Sequence, residues 1–416
     1  MSSIRIGVFG VGRGMDIVKN FLLQGCELVA ICDNHEERRE AVAKTLDKSV
    51  AVYDSFDEFL EHDMDAVIVA NFFHEHAPYT IRLLEKGIHV FCECISNGTM
   101  AEGVQLVRAY ERYKDRAIYM LAENYPHMKF NREMKRVCDT GSLGKFLYAE
   151  GEYNHPVDAT DSKFTKRYIY SEKHWRNYLP RTYYITHSLS PIMWATGATP
   201  KKVTAFSVYA PIEGDVSNGC YAGDSASIIT TQNDDGSVFH FTGSAKFGAH
   251  NVTYRICGAN GSIENLRGME DQISLRYNEW SRPDEETPAI SLYEPQWNDP
   301  EEELIKQSGH GGGDYLVARM FIQCIRENRQ PEFPFDLYSS VNMSSVAILA
   351  QRSVLNGNMP YDIPDFRLEE DCKKYENDYE SPFYCSDGRE PTIPCCTNPD
   401  YKPSEKQLEL FREVIK

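Results

Sequence analysis

The apolar run Ile4–Phe9 ends in Gly10-Val11-Gly12-Arg13-Gly14-Met15, a glycine-rich turn at which an extended pattern gives way to a helical one. A dinucleotide held at such a turn needs Gly first for tightness and Gly second so that backbone amides reach the pyrophosphate at a helix N-terminus. Gly10 and Gly12 meet both demands. The third fingerprint position is Met15, with Gly14 beside it to keep helix and strand close. Asp33 ends the next apolar run, where a carboxylate takes hydrogen bonds from both adenosine ribose hydroxyls and repels a 2′-phosphate. Asn34 rather than Arg follows it, so the chemistry points to NAD over NADP. A helix N-cap is the other use of an aspartate at this place.

These residues need a parallel sheet to present them. Strand-like runs at Ile4–Phe9, Glu27–Cys32, Ser49–Tyr53, Asp65–Asn71, His89–Glu93 and Ala117–Asn124 alternate with helical periods at Met15–Gln24, His35–Leu46, Phe56–Glu61, Ala77–Glu85 and Met100–Tyr113. That alternation is the signature of a doubly wound α/β domain, expected over residues 1–124. After Asn124 the texture changes. A helix at His127–Cys138 leads into a strand at Lys145–Tyr153, and Ser225–Gln232 and Ser237–Ser244 flank an Asn-Asp-Asp-Gly turn as a hairpin. Helices at Asp314–Glu327 and Tyr338–Asn356 follow. Residues 125–356 therefore read as an α+β domain with an open, mostly antiparallel sheet. Residues 357–416, rich in Pro, Asp, Glu and Tyr, read as a C-terminal extension that ends in a helix at Ser404–Val414 and packs on the domains or a neighbouring subunit.

The chain has 416 residues, 42% hydrophobic and 25% charged, which suits two globular cores. Its net charge of −18 is spread along the sequence, so no basic patch offers itself to nucleic acid or an anionic membrane. The N-terminus enters a strand directly and no apolar run reaches the length of a membrane helix, so a cytoplasmic location is expected. The twelve cysteines show no doubled C-x2-C spacing; Cys220 and its singly placed counterparts read as free thiols. His74, His76, His155, His187 and His310 show no His-x3-His spacing, and no metal is expected.

Taken in order, the glycine-rich turn, Asp33, Asn71-Phe72-Phe73-His74-Glu75-His76, Gly87-Ile88-His89-Val90-Phe91-Cys92-Glu93, Ala122-Glu123-Asn124-Tyr125, Gly144-Lys145-Phe146-Leu147-Tyr148-Ala149-Glu150-Gly151 and His310-Gly311-Gly312-Gly313-Asp314 resemble the Gfo/Idh/MocA oxidoreductases. The resemblance spans roughly residues 4–356. It implies a Rossmann domain followed by an open-sheet α/β domain, hydride transfer from a carbon bearing a hydroxyl on a sugar or polyol, and a homo-oligomer, dimer or tetramer, built through the sheet. It also implies that Asn71, His74, His76, Glu93, Cys94 and Asn124 join residues 10–15 and Asp33 around NAD.

Two departures narrow the resemblance. Ordinary family dehydrogenases carry Glu-Lys-Pro where this chain has Glu93-Cys94-Ile95, and a thiol does not replace a fixed positive charge near the reacting hydroxyl. The stretch Tyr183-Tyr184-Ile185-Thr186-His187-Ser188-Leu189-Ser190-Pro191 resembles the Tyr-x-Thr-His-x-Leu-Gly-Pro segment of the family's redox glycosidases. In that subgroup the sugar's 3-hydroxyl is oxidised, the acidified C2 proton leaves, the C1 substituent is expelled, water adds and the hydride returns, for net hydrolysis. Such a route needs proton shuttles and enolate stabilisation. The resemblance places Glu123, Tyr153, Tyr184 and His187 in those catalytic roles, with His155, Trp175, Arg176 and Lys246 around the sugar. Two other readings stay open: an NAD-dependent sugar or inositol dehydrogenase that releases NADH, and a non-catalytic NAD-binding regulator.

Overall fold

The computed structural model describes residues 3–156, 158, 162–212, 221–243 and 245–416. Cys220 and Ser244 lie outside them. The chain divides into two compact units, one formed by Met1–Met128, Asn298–Val341 and Asp365–Tyr379, the other by Lys129–Trp297, Asn342–Pro364 and Glu380–Lys416.

In the first unit β1 (Arg5–Phe9), β2 (Glu27–Cys32), β3 (Ala51–Tyr53), β4 (Ala66–Val69), β5 (His89–Cys92) and β6 (Tyr119–Leu121) alternate with α1 (Val11–Leu22), α2 (Glu36–Ala43), α3 (Phe56–Leu60), α4 (His76–Lys86) and α5 (Met100–Tyr113). The six strands form one parallel sheet in the order β3-β2-β1-β4-β5-β6. This is the doubly wound arrangement, with its reversal of strand order between β1 and β4, where ligands bind beyond the carboxyl ends of the strands. Every residue of β4 is buried, as strands covered on both faces require. Phe9, Phe56, Phe59 and Tyr79 pack ring to ring beneath the sheet.

The strands are shorter than the apolar runs suggest, because pairing stops where the chain must turn out to present side chains. β4 ends at Val69, two residues before Asn71, and β6 at Leu121, three before Asn124. Helix α1 begins at Val11 rather than Met15: Gly10 at φ 92° reverses the chain within one residue.

The second unit starts with α6 (Lys129–Asp139), β7 (Phe146–Asn154), α7 (Ser162–Tyr168) and α8 (Thr186–Thr196). It continues with β8 (Pro200–Tyr209), β9 (Asp224–Asn233), β10 (Val238–Gly243), β11 (Asn251–Gly258), β12 (Gly261–Leu266), β13 (Met269–Tyr277) and β14 (Ile290–Tyr293). Two helices of the first unit, α9 (Glu302–Lys306) and α10 (Gly313–Glu327), come next, and α11 (Leu337–Leu355) contributes residues to both units. Then β15 (Tyr361–Asp362) pairs with β8 and completes a nine-stranded sheet in the order β14-β13-β12-β11-β7-β10-β9-β8-β15. Its pairs are antiparallel apart from β7 with β10. Helices α6 and α8 pack on it against buried Ala149, Phe239, Tyr254, Ile256 and Ile263.

The C-terminal stretch is more structured than its composition suggests. Besides β15 it forms α12 (Glu369–Tyr375), which packs on α5, and α13 (Glu405–Ile415), which packs on α7. Buried apolar residues at Phe366, Cys372, Tyr375 and Phe411 are enough to fold short pieces onto an existing core. Among the described residues, no helix is long and apolar enough to cross a membrane.

Candidate active site

The glycine-rich turn is shaped by close approach. A Cβ on Gly10 would stand 2.3 Å from the Ala70 carbonyl oxygen, and one on Gly14 would stand 2.5 Å from Val8 Cγ1. Gly14 therefore provides the tight contact of helix on strand that the usual third glycine would give. Helix α1 leaves its first-turn N–H groups without intrahelical acceptors. Asp33 takes one of them: its Oδ2 accepts from Val11 N–H at 2.9 Å, and its Oδ1 accepts from His35 N–H at 2.9 Å. The buried carboxylate thus stiffens the turn and the start of α2 from the end of β2. Each oxygen keeps a further lone pair for a ribose hydroxyl.

Arg13 reaches across the strand ends. Its Nε donates to Glu93 Oε1 at 3.3 Å and its Nη2 to Asp314 Oδ1 at 2.9 Å. Asp314, in the first turn of α10, also accepts from Asn124 Nδ2 at 2.6 Å and lies 3.0 Å from His310 Nδ1. Burial favours its protonated form, but the His310 hydrogen bond, the Arg13 charge and the Asn124 amide outweigh that, and the carboxyl sits well below the usual carboxylate range. Cys94 stays on Glu93: its N–H and its thiol approach Glu93 Oε2 at 3.3 and 3.4 Å.

His76 is fully buried at the start of α4, and burial pushes its imidazole below its ordinary value. Its Nδ1 lies 2.7 Å from the Ile95 carbonyl, which can only accept, so Nδ1 carries the proton and Nε2 presents a lone pair. His74 is buried next to Glu75, its ring stacked 6.2 Å from Phe72. Asn71 Oδ1, His76 Nε2 and Asn124 Oδ1 are among the buried acceptors that find no hydrogen-bond donor among the described residues. Asn71 and Asn124 follow β4 and β6 at the carboxyl edge of the sheet. A turn too tight for any side chain at Gly10, a helix N-terminus directly after it, a ribose-ready carboxylate and orphaned acceptors beyond the strand ends together fit a dinucleotide. Glu123, fully buried after β6, accepts from Tyr125 N–H at 3.2 Å and so anchors the short 3-10 turn Tyr125–His127.

The remaining candidates belong to the second unit. Tyr153 is the last residue but one of β7, while Tyr184 and His187 flank the start of α8. Gly151 and Gly243 bring these elements together: a Cβ on Gly151 would meet the Ser188 carbonyl oxygen at 2.0 Å, and one on Gly243 would meet the Arg181 carbonyl oxygen at 1.9 Å. The segment carrying Tyr184 and His187 therefore lies directly on the sheet, and Ser188 Oγ fastens it to the Thr242 carbonyl at 2.6 Å. The three rings form a triangle, with Tyr153 to Tyr184 at 6.0 Å, Tyr153 to His187 at 4.9 Å and Tyr184 to His187 at 5.2 Å between centroids. His155 extends it, 5.9 Å from Tyr153.

Trp175 and Arg176 pack on each other in this unit. The Arg176 guanidinium lies 4.4 Å from the Trp175 ring and 5.5 Å from Tyr168, and Trp175 stacks on His174. Lys246 lines a cleft with Arg181, Asp224, Ser225 and Tyr401. Sequence reasoning overlooked three residues. Arg38 brings a guanidinium nitrogen within 3.2 Å of where a Gly12 Cβ would be, and its signal was its place in the helix turn after Asp33. Asp314 stood in a quoted motif without a role. His250, whose Nδ1 is 3.1 Å from His155 Nδ1, carried no local signal at all.

Residues 4–120 match the family model described as oxidoreductase family, NAD-binding Rossmann fold, and residues 219–370 match the glycosyl hydrolase 109 C-terminal domain. The chain is 26% identical over 407 residues to an alpha-N-acetylgalactosaminidase of Shewanella oneidensis, covering 88% of this chain and 85% of that one. It is 26% identical over 399 residues to a glycosyl hydrolase family 109 protein of Saccharopolyspora erythraea, covering 88% and 83%. Among solved structures, an oxidoreductase domain protein from Kribbella flavida shares the fold with a TM-score of 0.72 at 18% identity, covering 88% of this chain and 100% of that one. The chain joins an NAD-binding Rossmann domain of the Gfo/Idh/MocA oxidoreductase type to a C-terminal domain of the glycosyl hydrolase 109 type.

Proposed function

We propose that this protein hydrolyses a glycoside by an NAD-dependent redox route at C3 of the sugar. The observation that carries the reading is the ring triangle of Tyr153, Tyr184 and His187, three groups able to move protons; the sequence adds a cysteine in the place of the dehydrogenase lysine. Bound NAD+ supplies a hydride acceptor that later returns what it took. His187 takes the proton of the 3-hydroxyl as C3 becomes a ketone, since imidazole accepts protons near neutrality. The ketone acidifies C2–H, and a phenolate at Tyr153 or Tyr184 removes that proton. Glu123 protonates the departing C1 oxygen or holds a sugar hydroxyl. Water then adds to C1, and the proton steps run in reverse. The names of the relatives support an N-acetylgalactosaminide as the first substrate to try.

Incubation of the full-length protein with NAD+ and aryl glycosides tests this reading. Aglycone release without accumulation of NADH at 340 nm is the expected result. NADH accumulating without aglycone would establish the dehydrogenase instead, and NAD binding with neither product would leave a regulator.

The reading includes assembly as a homo-oligomer through the sheet of the second unit. Phe206 and Val208, two residues apart on β8, expose 60% and 45% of their surface, an unusual cost for a strand that faces only water. Light scattering on a sizing column should give a dimer or tetramer mass, and a monomer at micromolar concentration would refute this part.

A further inference from the structure

Cys395 and Cys396 are neighbours in the chain, and their thiols hydrogen-bond to each other. The segment that carries them is held on both sides. Gln351 Nε2 donates to the Pro394 carbonyl at 3.2 Å, and the Thr397 N–H and hydroxyl both donate to Asp224 Oδ2 at 3.0 Å. Cys395 is partly exposed and Cys396 is buried; their sulfurs lie 3.3 Å from the Tyr221 carbonyl oxygen and 3.2 Å from that of Asn398, respectively. Burial pushes the core thiols up, Cys26 to about 11 and Cys32, Cys92 and Cys138 to about 12. The adjacent pair behaves otherwise. A thiolate at one sulfur accepts the hydrogen bond of the other thiol, which lowers Cys396 to about 7 and holds Cys395 well above the usual thiol range. The charge moves between the sulfurs with the proton they share, so the partly exposed Cys395 also carries it.

We propose that Cys395 and Cys396 form a redox-modification site, which a peroxide closes into a disulfide between adjacent residues. The thiolate is the nucleophile, and a thiol that ionises near the ambient pH attacks fastest. It attacks one peroxide oxygen; the O–O bond breaks, and the other oxygen leaves as hydroxide and takes up a proton, giving water and a sulfenic acid. The second thiol then attacks that sulfur. The S–S bond forms, the S–O bond breaks, and the departing hydroxide takes the thiol's proton to become a second water. Two thiols are oxidised by two electrons, which the peroxide takes. Adjacent α-carbons stand about 3.8 Å apart, nearer than the roughly 4.4–6.8 Å that ordinary disulfides span, so the ring is strained and a dithiol reopens it readily. Closure re-aims the peptide before Thr397 and draws both Thr397 donors away from Asp224. That carboxylate is 2% exposed, and burial already raises it above its ordinary value, so the loss of two donors destabilises the fold around it. The Asp224 carbonyl accepts from Arg181 Nε at 2.9 Å, which carries the change into the segment seated on Gly243. The site draws nothing from the glycosidase reading.

The test treats reduced full-length wild type, Cys395→Ala and Cys396→Ala with hydrogen peroxide. In the wild type, the peptide that carries residues 395 and 396 should become lighter by two hydrogen atoms and resist alkylation until dithiothreitol restores both thiols. The rate should rise with pH and level off above about 7, whereas an unassisted thiol keeps rising to about 8.5. In each alanine variant the remaining thiol has lost its neighbour's hydrogen bond and should react about tenfold more slowly at neutral pH, with no disulfide in that peptide. The oxidised wild type should melt at a lower temperature than the reduced one. Peroxide that leaves both residues as thiols overturns the site, and so does a bridge from either to another cysteine, Cys220 included. An adjacent disulfide with unchanged melting overturns the link to Asp224. Since no glycoside enters the experiment, this site and the proposed function fail separately.

Discussion

The α-carbon of Gly151 rests against the carbonyl oxygen of Ser188, so closely that a methyl group at Gly151 would lie 2.0 Å from it. Helix α8 can begin directly on β7 only because this strand position has no side chain, and that seat brings His187 to Tyr153. Gly151→Ala is expected to lift the helix start, destabilising the protein by about 1–3 kcal/mol as overpacking does. Urea denaturation would show a lower midpoint, and glycoside cleavage should fall while NAD+ affinity holds. An unshifted midpoint would mean that the contact is not tight in solution.

Gly10→Ala attacks the other half of the reaction. The backbone at φ 92° costs a residue with a Cβ about 1–3 kcal/mol, and the new methyl group would press on the Ala70 carbonyl. NAD+ affinity measured by calorimetry should weaken by tenfold or more, on the scale of about 1.4 kcal/mol per decade. Equal affinity in the variant would rule out the turn as the pyrophosphate seat.

The two tyrosines of the triangle are separable. Whichever phenol removes the C2 proton should lose roughly 10²–10⁴ in kcat on replacement by Phe. The other, kept for packing 6.0 Å away, should lose much less. Equal small losses in Tyr153→Phe and Tyr184→Phe would dismiss both as the base.

Asp314 sets an acid limit on stability. Its carboxyl titrates lower in the folded chain than in the unfolded one, so its stabilising contribution is fully present above the unfolded value near 4 and drains away as pH falls toward the folded value. Asp314→Asn should therefore cost on the order of 1–3 kcal/mol near neutrality and flatten the dependence of stability on pH below about 4. Thermal melts of both proteins from pH 7 to pH 3 check this, and parallel curves would refute it.

Much of the cofactor region was legible in the chain because its signals are local. Gly10, Gly12 and Asp33 lie at strand ends whose apolar runs announce themselves, and the structure joins Asp33 to Val11 across one strand pair. Element boundaries were less legible. The expected strands outlast the hydrogen-bonded ladders by two or three residues at Asn71 and Asn124: Ala70 and Ala122 still donate to Phe9 and Cys92, and the ladder stops at the polar residues that follow.

What the sequence determined alone is whatever rests on neighbours a few positions apart: the alternation of strand and helix, the glycine turn, the acidic residue behind it and the motif blocks that mark the family. Tertiary structure decided the rest. Asp314 reaches Arg13 from 301 residues away, and His250 meets His155 from 95 residues away. Strand β10 lies parallel to β7 and β15 caps the sheet after α11, although no hairpin signal asks for either. Periodicity records which face of an element is buried; the partner on the other side is chosen by packing, where close approaches such as Gly151 on Ser188 admit one arrangement of the whole chain.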